Sequence, residues 1–157
     1  MGAGKTTLGK KIARKLGYRF YDIDKAFEHK YKTSVDLFFH KYGEEIFRQM
    51  EYELLVSTFE FNDTVVSTGG GTPCFYNSME LINKNGISLY IKLTPEALLH
   101  RLTHAKKRRP LVAKKSNEEL RQFIEHKLAE RELYYNKALY VVNGLSASVS
   151  GIVDLLK

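Results

Sequence analysis

Apolar positions along the chain switch repeatedly between helical and extended spacing. Thr7 to Leu16 reads as a helix closed by Gly17, a residue suited to the left-handed turn at a helix end. Tyr18 to Ile23 is a short strand. Ser34 is placed to cap a helix over Val35 to Tyr42, which Gly43 stops, and Glu44 to Phe59 continues at helical spacing with good helix formers. Thr64 to Thr68 is a β-branched strand that runs into Gly69-Gly70-Gly71. Asn77 to Lys84 reads as helix. Ile87, Leu89, Ile91 and Leu93 then alternate with Ser88, Tyr90 and Lys92, the period of a strand. Thr94 and Pro95 supply a cap and a first helical residue. Ser116 with Glu119 forms a capping box for a helix reaching about Asn136. Ala138 to Asn143 is a last strand and Ser148 to Lys157 a last helix. Strands alternating with helices, with no repeat, low-complexity tract or linker, predict an α/β fold on a mostly parallel sheet.

The 157 residues suit one domain, 1–157, and 43% hydrophobic with 27% charged residues is globular composition. Apolar runs are too short to span a bilayer, and Met1-Gly2-Ala3-Gly4-Lys5 lacks the apolar stretch of a signal peptide. A single cysteine, Cys74, excludes an intramolecular disulfide and fits a reducing compartment, so a cytoplasmic chain is expected. The net charge of +7 changes little, because most basic residues stand singly among acids. Lys106-Lys107-Arg108-Arg109, with Lys114-Lys115 behind, is the exception. It reads either as a solvated loop or as a patch that meets a polyphosphate.

Gly2-Ala3-Gly4-Lys5-Thr6-Thr7 is the second half of the phosphate-loop pattern G-x-x-x-x-G-K-[ST]. Glycines let backbone N–H groups turn toward phosphate oxygens at the positive end of the following helix. Lys5 adds a point charge for the β and γ phosphates, and the Thr6 hydroxyl is a Mg²⁺ ligand candidate.

Asp22 and Asp24 close the strand Tyr18 to Ile23 at period 2, which places both carboxylates on one strand face, beyond which ligands of open α/β sheets bind. One acid would serve the magnesium shell and the other would orient and deprotonate a hydroxyl. The plainer reading is a helix cap, with Asp24 capping a helix that begins near Lys25. Arg48 has Glu44 and Glu51 at helical neighbour spacing, which by itself reads as a surface ion-pair ladder. Gly69, Gly70 and Gly71 leave backbone N–H groups open to close approach by a ligand. Arg131 lies eleven residues past Leu120, roughly three turns, on the stripe of Leu120, Phe123, Ile124 and Leu128. An arginine there either needs an anionic partner or snorkels at the helix end. His100 and His104 are four apart with no third metal ligand in view, and read as surface residues.

In order, Gly-x-Gly-Lys-Thr-Thr, Tyr-Asp-x-Asp, Phe-Arg-x-x-Glu, Gly-Gly-Gly, Arg-Pro-Leu and Arg-x-x-x-Tyr resemble the shikimate kinases over essentially the whole chain. The resemblance implies a three-layer P-loop kinase fold: a central parallel sheet of five strands flanked by helices, substrate-binding helices over about 24–60, and a mobile lid over about 106–116. It implies transfer of the ATP γ-phosphate to the 3-hydroxyl of shikimate, in chorismate and aromatic amino acid biosynthesis. Gly2, Ala3, Gly4, Lys5, Thr6 and Thr7 would bind ATP, with Arg101 flanking the adenine and Arg109 brought by the lid to the phosphates. Thr6 and Asp22 would serve Mg²⁺. Shikimate would be held by Asp24, Arg48, Gly69, Gly70, Gly71 and Arg131, with Asp24 as base, Glu51 steering Arg48, and Lys5 and Arg109 also catalytic. The family usually has proline where this chain has Leu133. A monomer acting on a small molecule is implied, without nucleic acid or membrane.

The rivals are another small P-loop kinase of gluconate or nucleoside monophosphate type, a truncated inactive nucleotide-binding chain, and a basic RNA-binding domain. The first glycine of the phosphate-loop pattern and the family's first strand would precede residue 1. In the family that strand lies between the strands read here at Thr64 to Thr68 and Ile87 to Leu93. The working protein is therefore expected to begin about ten residues earlier, taking typical strand length.

Overall fold

The computed structural model describes residues 2–105 and 115–156. Seven helices and four strands among them follow the predicted alternation. They are α1 (Lys5–Leu16), β1 (Arg19–Asp22), α2 (Ile23–Tyr31), α3 (Val35–Ser57), β2 (Thr64–Ser67), α4 (Ser78–Asn85), β3 (Leu89–Lys92), α5 (Pro95–Thr103), α6 (Asn117–Tyr135), β4 (Tyr140–Asn143) and α7 (Val149–Leu155). Local chemistry sets the boundaries. Gly17 closes α1 at φ 73°, and its N–H reaches back to the last turn. Ser34, Thr94 and Ser148 cap α3, α5 and α7 through their hydroxyls. Ser116 and Glu119 form the complete capping box on α6. Gly43, at φ 84° and ψ 172°, breaks α3 where a stop was expected.

One boundary differs with consequence. The strand read over Tyr18 to Ile23 ends at Asp22, because Asp22 caps α2 by accepting the Lys25 N–H at 3.2 Å. Ile23 turns into the core and is fully buried beside Phe27. Asp22 and Asp24 therefore do not share a strand face, and the capping residue is Asp22 rather than Asp24.

The strands form two parallel pairs. β1 pairs with β2 from Arg19↔Thr64 to Asp22↔Ser67, and β3 with β4 from Leu89↔Tyr140 to Lys92↔Asn143. Among the described residues no strand joins β2 to β3. A groove of about 450 Å³ lies between them, lined by Val65, Val66, Leu89 and Ile91 and by Leu8 and Ile12 of α1. It stands where the family's first strand was expected. The apolar faces of α1 and α7 bridge the two pairs, with Ile12, Ile152 and Val153 packed against Val65, Leu89 and Val142. A second cluster joins α2 to α3 through Phe27, Phe38, Phe47 and Leu55. A third joins α5 to α6 through Leu98, Leu102, Leu120 and Ile124, the stripe predicted on α6.

Candidate active site

Gly2 and Gly4 both take left-handed conformations, φ 66° and 84°, which turn the loop into the start of α1. Among the described residues no side chain caps that helix, and its first turn carries no acid, so its positive end favours an anion. A cavity of about 240 Å³ opens there. Gly2, Ala3, Gly4, Lys5, Thr6 and Thr7 line it on one side, and Asp22, Asp24, Ser67, Thr68 and Arg101 on the other. The helix begins two residues earlier than its periodicity suggested, which puts Lys5 and Thr6 in the first turn.

Thr6 donates its hydroxyl to Asp22 Oδ2 at 2.9 Å, so the two residues singled out for Mg²⁺ stand together. They offer hard oxygen donors suited to that ion. Among the described residues no cluster of three His, Cys, Asp or Glu side chains forms. The His100 and His104 rings simply stack at 4.3 Å. Arg101 donates to the Ala3 carbonyl at 2.9 Å and to the Gly144 carbonyl at 3.1 Å. It thus braces the phosphate loop against the turn after β4 as well as lining the cavity.

A second arrangement adjoins the first through Asp24. Arg48 is not on the surface, as its helical spacing suggested: it is 7% exposed. Its Nη1 donates to Glu51 Oε2 at 2.6 Å, and its Nε and Nη2 to Glu44 Oε1 at 3.2 and 3.1 Å. The Phe75 and Phe47 rings lie 4.6 and 5.1 Å from the guanidinium. Thr72 donates to the other Glu51 oxygen at 2.6 Å. Burial pushes the Glu51 carboxyl up, while Arg48 and Thr72 pull it back.

Gly69 and Gly71 pack onto these groups with no room for side chains. A Cβ on Gly69 would lie 2.6 Å from Glu51 Oε1 and 3.0 Å from Asp24 Oδ1, and one on Gly71 would overlap the Arg48 guanidinium. Asp24 therefore lies against the glycine loop and on the wall of the phosphate-loop cavity at once.

Arg131 comes to the same corner from α6, beside Tyr135 and Cys74. Sequence reasoning assigned no role to Thr72, Phe75 or Tyr135. Only the placement of Thr72 directly after the glycines hinted at one. Cys74, read as a small residue near a strand end, sits in a short 3-10 turn over Thr72–Cys74. Burial pushes its thiol up, and Arg131 and Arg48 only partly offset this. Alkylation by iodoacetamide, followed by peptide mass spectrometry, should therefore keep rising with pH past about 8.5, the ordinary thiol value. A plateau below that pH would mean that the arginines outweigh burial. Arg109 and most of the expected lid lie outside the described residues.

A glycine loop opening a helix, a threonine–aspartate pair beside it and an arginine-lined corner next door define a P-loop kinase of a small molecule. The family model described as shikimate kinase matches residues 1–156. A shikimate kinase of Phocaeicola vulgatus is 45% identical over 90% of this chain and 81% of its own length. The crystal structure of the shikimate kinase from Bacteroides thetaiotaomicron superposes with a TM-score of 0.93 at 40% identity, covering 99% of this chain and 91% of that one. That of Acinetobacter baumannii, in complex with shikimate, gives 0.85 at 31% identity over 99% and 85%. This chain belongs to the shikimate kinase family.

Proposed function

We infer that the protein transfers the γ-phosphoryl group of ATP to the 3-hydroxyl of shikimate. The position of Asp24 carries this reading, because it touches the glycine loop beside Arg48 and faces the phosphate-loop cavity. A hydroxyl held at that corner is next to Asp24 and next to a phosphate chain bound at α1. Lys5 and the open N–H groups of α1 hold the phosphates, and Asp24 accepts the proton as the hydroxyl attacks. Arg48 and Arg131 clamp the substrate carboxylate, a planar anion that their forked donors fit. Thr6 and Asp22 would hold Mg²⁺, which when bound neutralises charge on the β and γ phosphates. Arg101 flanks the adenine, and Arg109 reaches the phosphates, on the strength of the resemblance alone.

The same reading takes residues 1–157 as one domain acting as a cytoplasmic monomer, with no nucleic acid or membrane partner. No helix among the described residues is long and apolar enough to cross a membrane. A coupled ADP-release assay with shikimate, gluconate and CMP in parallel tests the assignment. Turnover with shikimate alone is expected, and turnover with gluconate or CMP instead would overturn it.

Arg48→Lys and Arg131→Lys keep the charge but lose the fork, so each should raise the shikimate KM by about tenfold or more while the ATP KM stays near its native value. Equal weakening of both substrates would point to damage of the fold instead.

A further inference from the structure

Gly70 and Gly71 share a peptide unit with no Cβ on either side. A peptide between two glycines reorients at little steric cost, because both residues populate positive and negative φ. The Gly70 carbonyl and the Gly71 N–H belong to one planar trans unit and point in opposite directions. Whatever holds the carbonyl therefore aims the N–H.

The holder is Tyr135, sixty-five residues away at the last position of α6. Its hydroxyl donates to the Gly70 carbonyl at 2.5 Å. Its ring is itself fixed against Tyr90 of β3, centroids 5.0 Å apart. Burial pushes the phenol up, so it remains a donor throughout the neutral range. On the far side of the peptide, the Gly71 carbonyl accepts the Cys74 N–H at 2.9 Å, which anchors the next unit. The Gly70–Gly71 unit lies directly against the Arg48 guanidinium, and the Tyr135 hydroxyl holds its carbonyl.

We propose that Tyr135 is a positioning residue for the phosphoryl acceptor. Its hydroxyl locks the Gly70–Gly71 peptide so that the loop meets the substrate in one orientation. The role of the loop in substrate binding rests on the function proposed above; the lock itself does not. Because Arg131 lies one turn earlier on the same helix, α6 supplies both a carboxylate clamp and the tether of the loop that faces it. Tyr135 is not among the residues that line the phosphate-loop cavity, so its effect should fall on one substrate only.

Tyr135→Phe removes one oxygen and keeps the ring against Tyr90. The expected result is a shikimate KM raised about tenfold, the scale of one lost hydrogen bond, with the ATP KM within about twofold of native and little change in melting temperature. Parallel losses for both substrates, or no change in either, would overturn the proposal. A second measurement needs no turnover: the Gly71 amide resonance in ¹⁵N-labelled protein. Broadening or doubling of that resonance in Tyr135→Phe supports the lock, and a single sharp resonance at the native position refutes it. A native chain that does not phosphorylate shikimate would defeat the proposed function while leaving the amide measurement decisive for the lock.

Discussion

Asp24→Asn should cut turnover by roughly 10²-fold or more, the contribution of a well-placed general base, with ATP affinity nearly unchanged. Asparagine keeps the size of the side chain and its place against Gly69 but cannot take a proton at neutral pH. The phosphate loop, by contrast, is built from Gly2 to Thr7 and braced by Arg101, which donates to the Ala3 carbonyl. Binding and chemistry should therefore separate. Steady-state kinetics with shikimate, alongside ATP binding by calorimetry, checks this. Near-native turnover would remove Asp24 from the role of base, and loss of ATP binding would show that the substitution had disturbed the cavity instead. Asp24 also pushes the neighbouring Glu51 carboxyl up, so its neutralisation favours the ionised Glu51 that pairs with Arg48. The Arg48 clamp should survive.

The groove between β2 and β3 supports an effect of similar size on stability. Each of these strands is paired on one edge, and the other faces the groove among Val65, Leu89, Ile91, Leu8 and Ile12. Ala3 and Lys5 line the same groove, while Gly2 lies in the phosphate-loop cavity near Ser67 and Thr68, at the carboxyl end of β2. A segment placed ahead of Met1 would then run parallel to both neighbours. An extension of about ten residues carrying a five- or six-residue β-branched apolar run should raise the melting temperature by about 10 °C or more. Ladder hydrogen bonds contribute about 1 kcal/mol each, and burying an aliphatic side chain about 1.5–3 kcal/mol. Ordering each residue costs about 1–2 kcal/mol, which leaves several kcal/mol, at about 2–4 °C per kcal/mol for a domain of this size. A Gly/Ser extension of equal length is the control. Equal melting temperatures for the two extensions would show that the groove does not take a strand.

Much of the secondary structure was legible because its causes are local. The capping box at Ser116 and Glu119, the Thr94-Pro95 start, and the glycine stops at Gly17 and Gly43 act within a few residues, and each appears where it was expected. The phosphate loop belongs with them, since its glycines, Lys5 and Thr6 are contiguous and the following helix supplies the field. Tertiary packing decided the rest. Glu44, Arg48 and Glu51 have the same helical spacing whether that face is solvated or covered, and only the arrival of Phe75, Thr72 and Gly71 makes it a buried charge cluster. Whether Asp22 or Asp24 caps α2 turned on burying Ile23 beside Phe27, which ended the strand early. The hold of Tyr135 on Gly70 spans sixty-five residues. A hydroxyl and a carbonyl that far apart carry no mark of each other in sequence, because only the packing of α6 against the Thr72–Cys74 turn after the glycines brings them within hydrogen-bond reach.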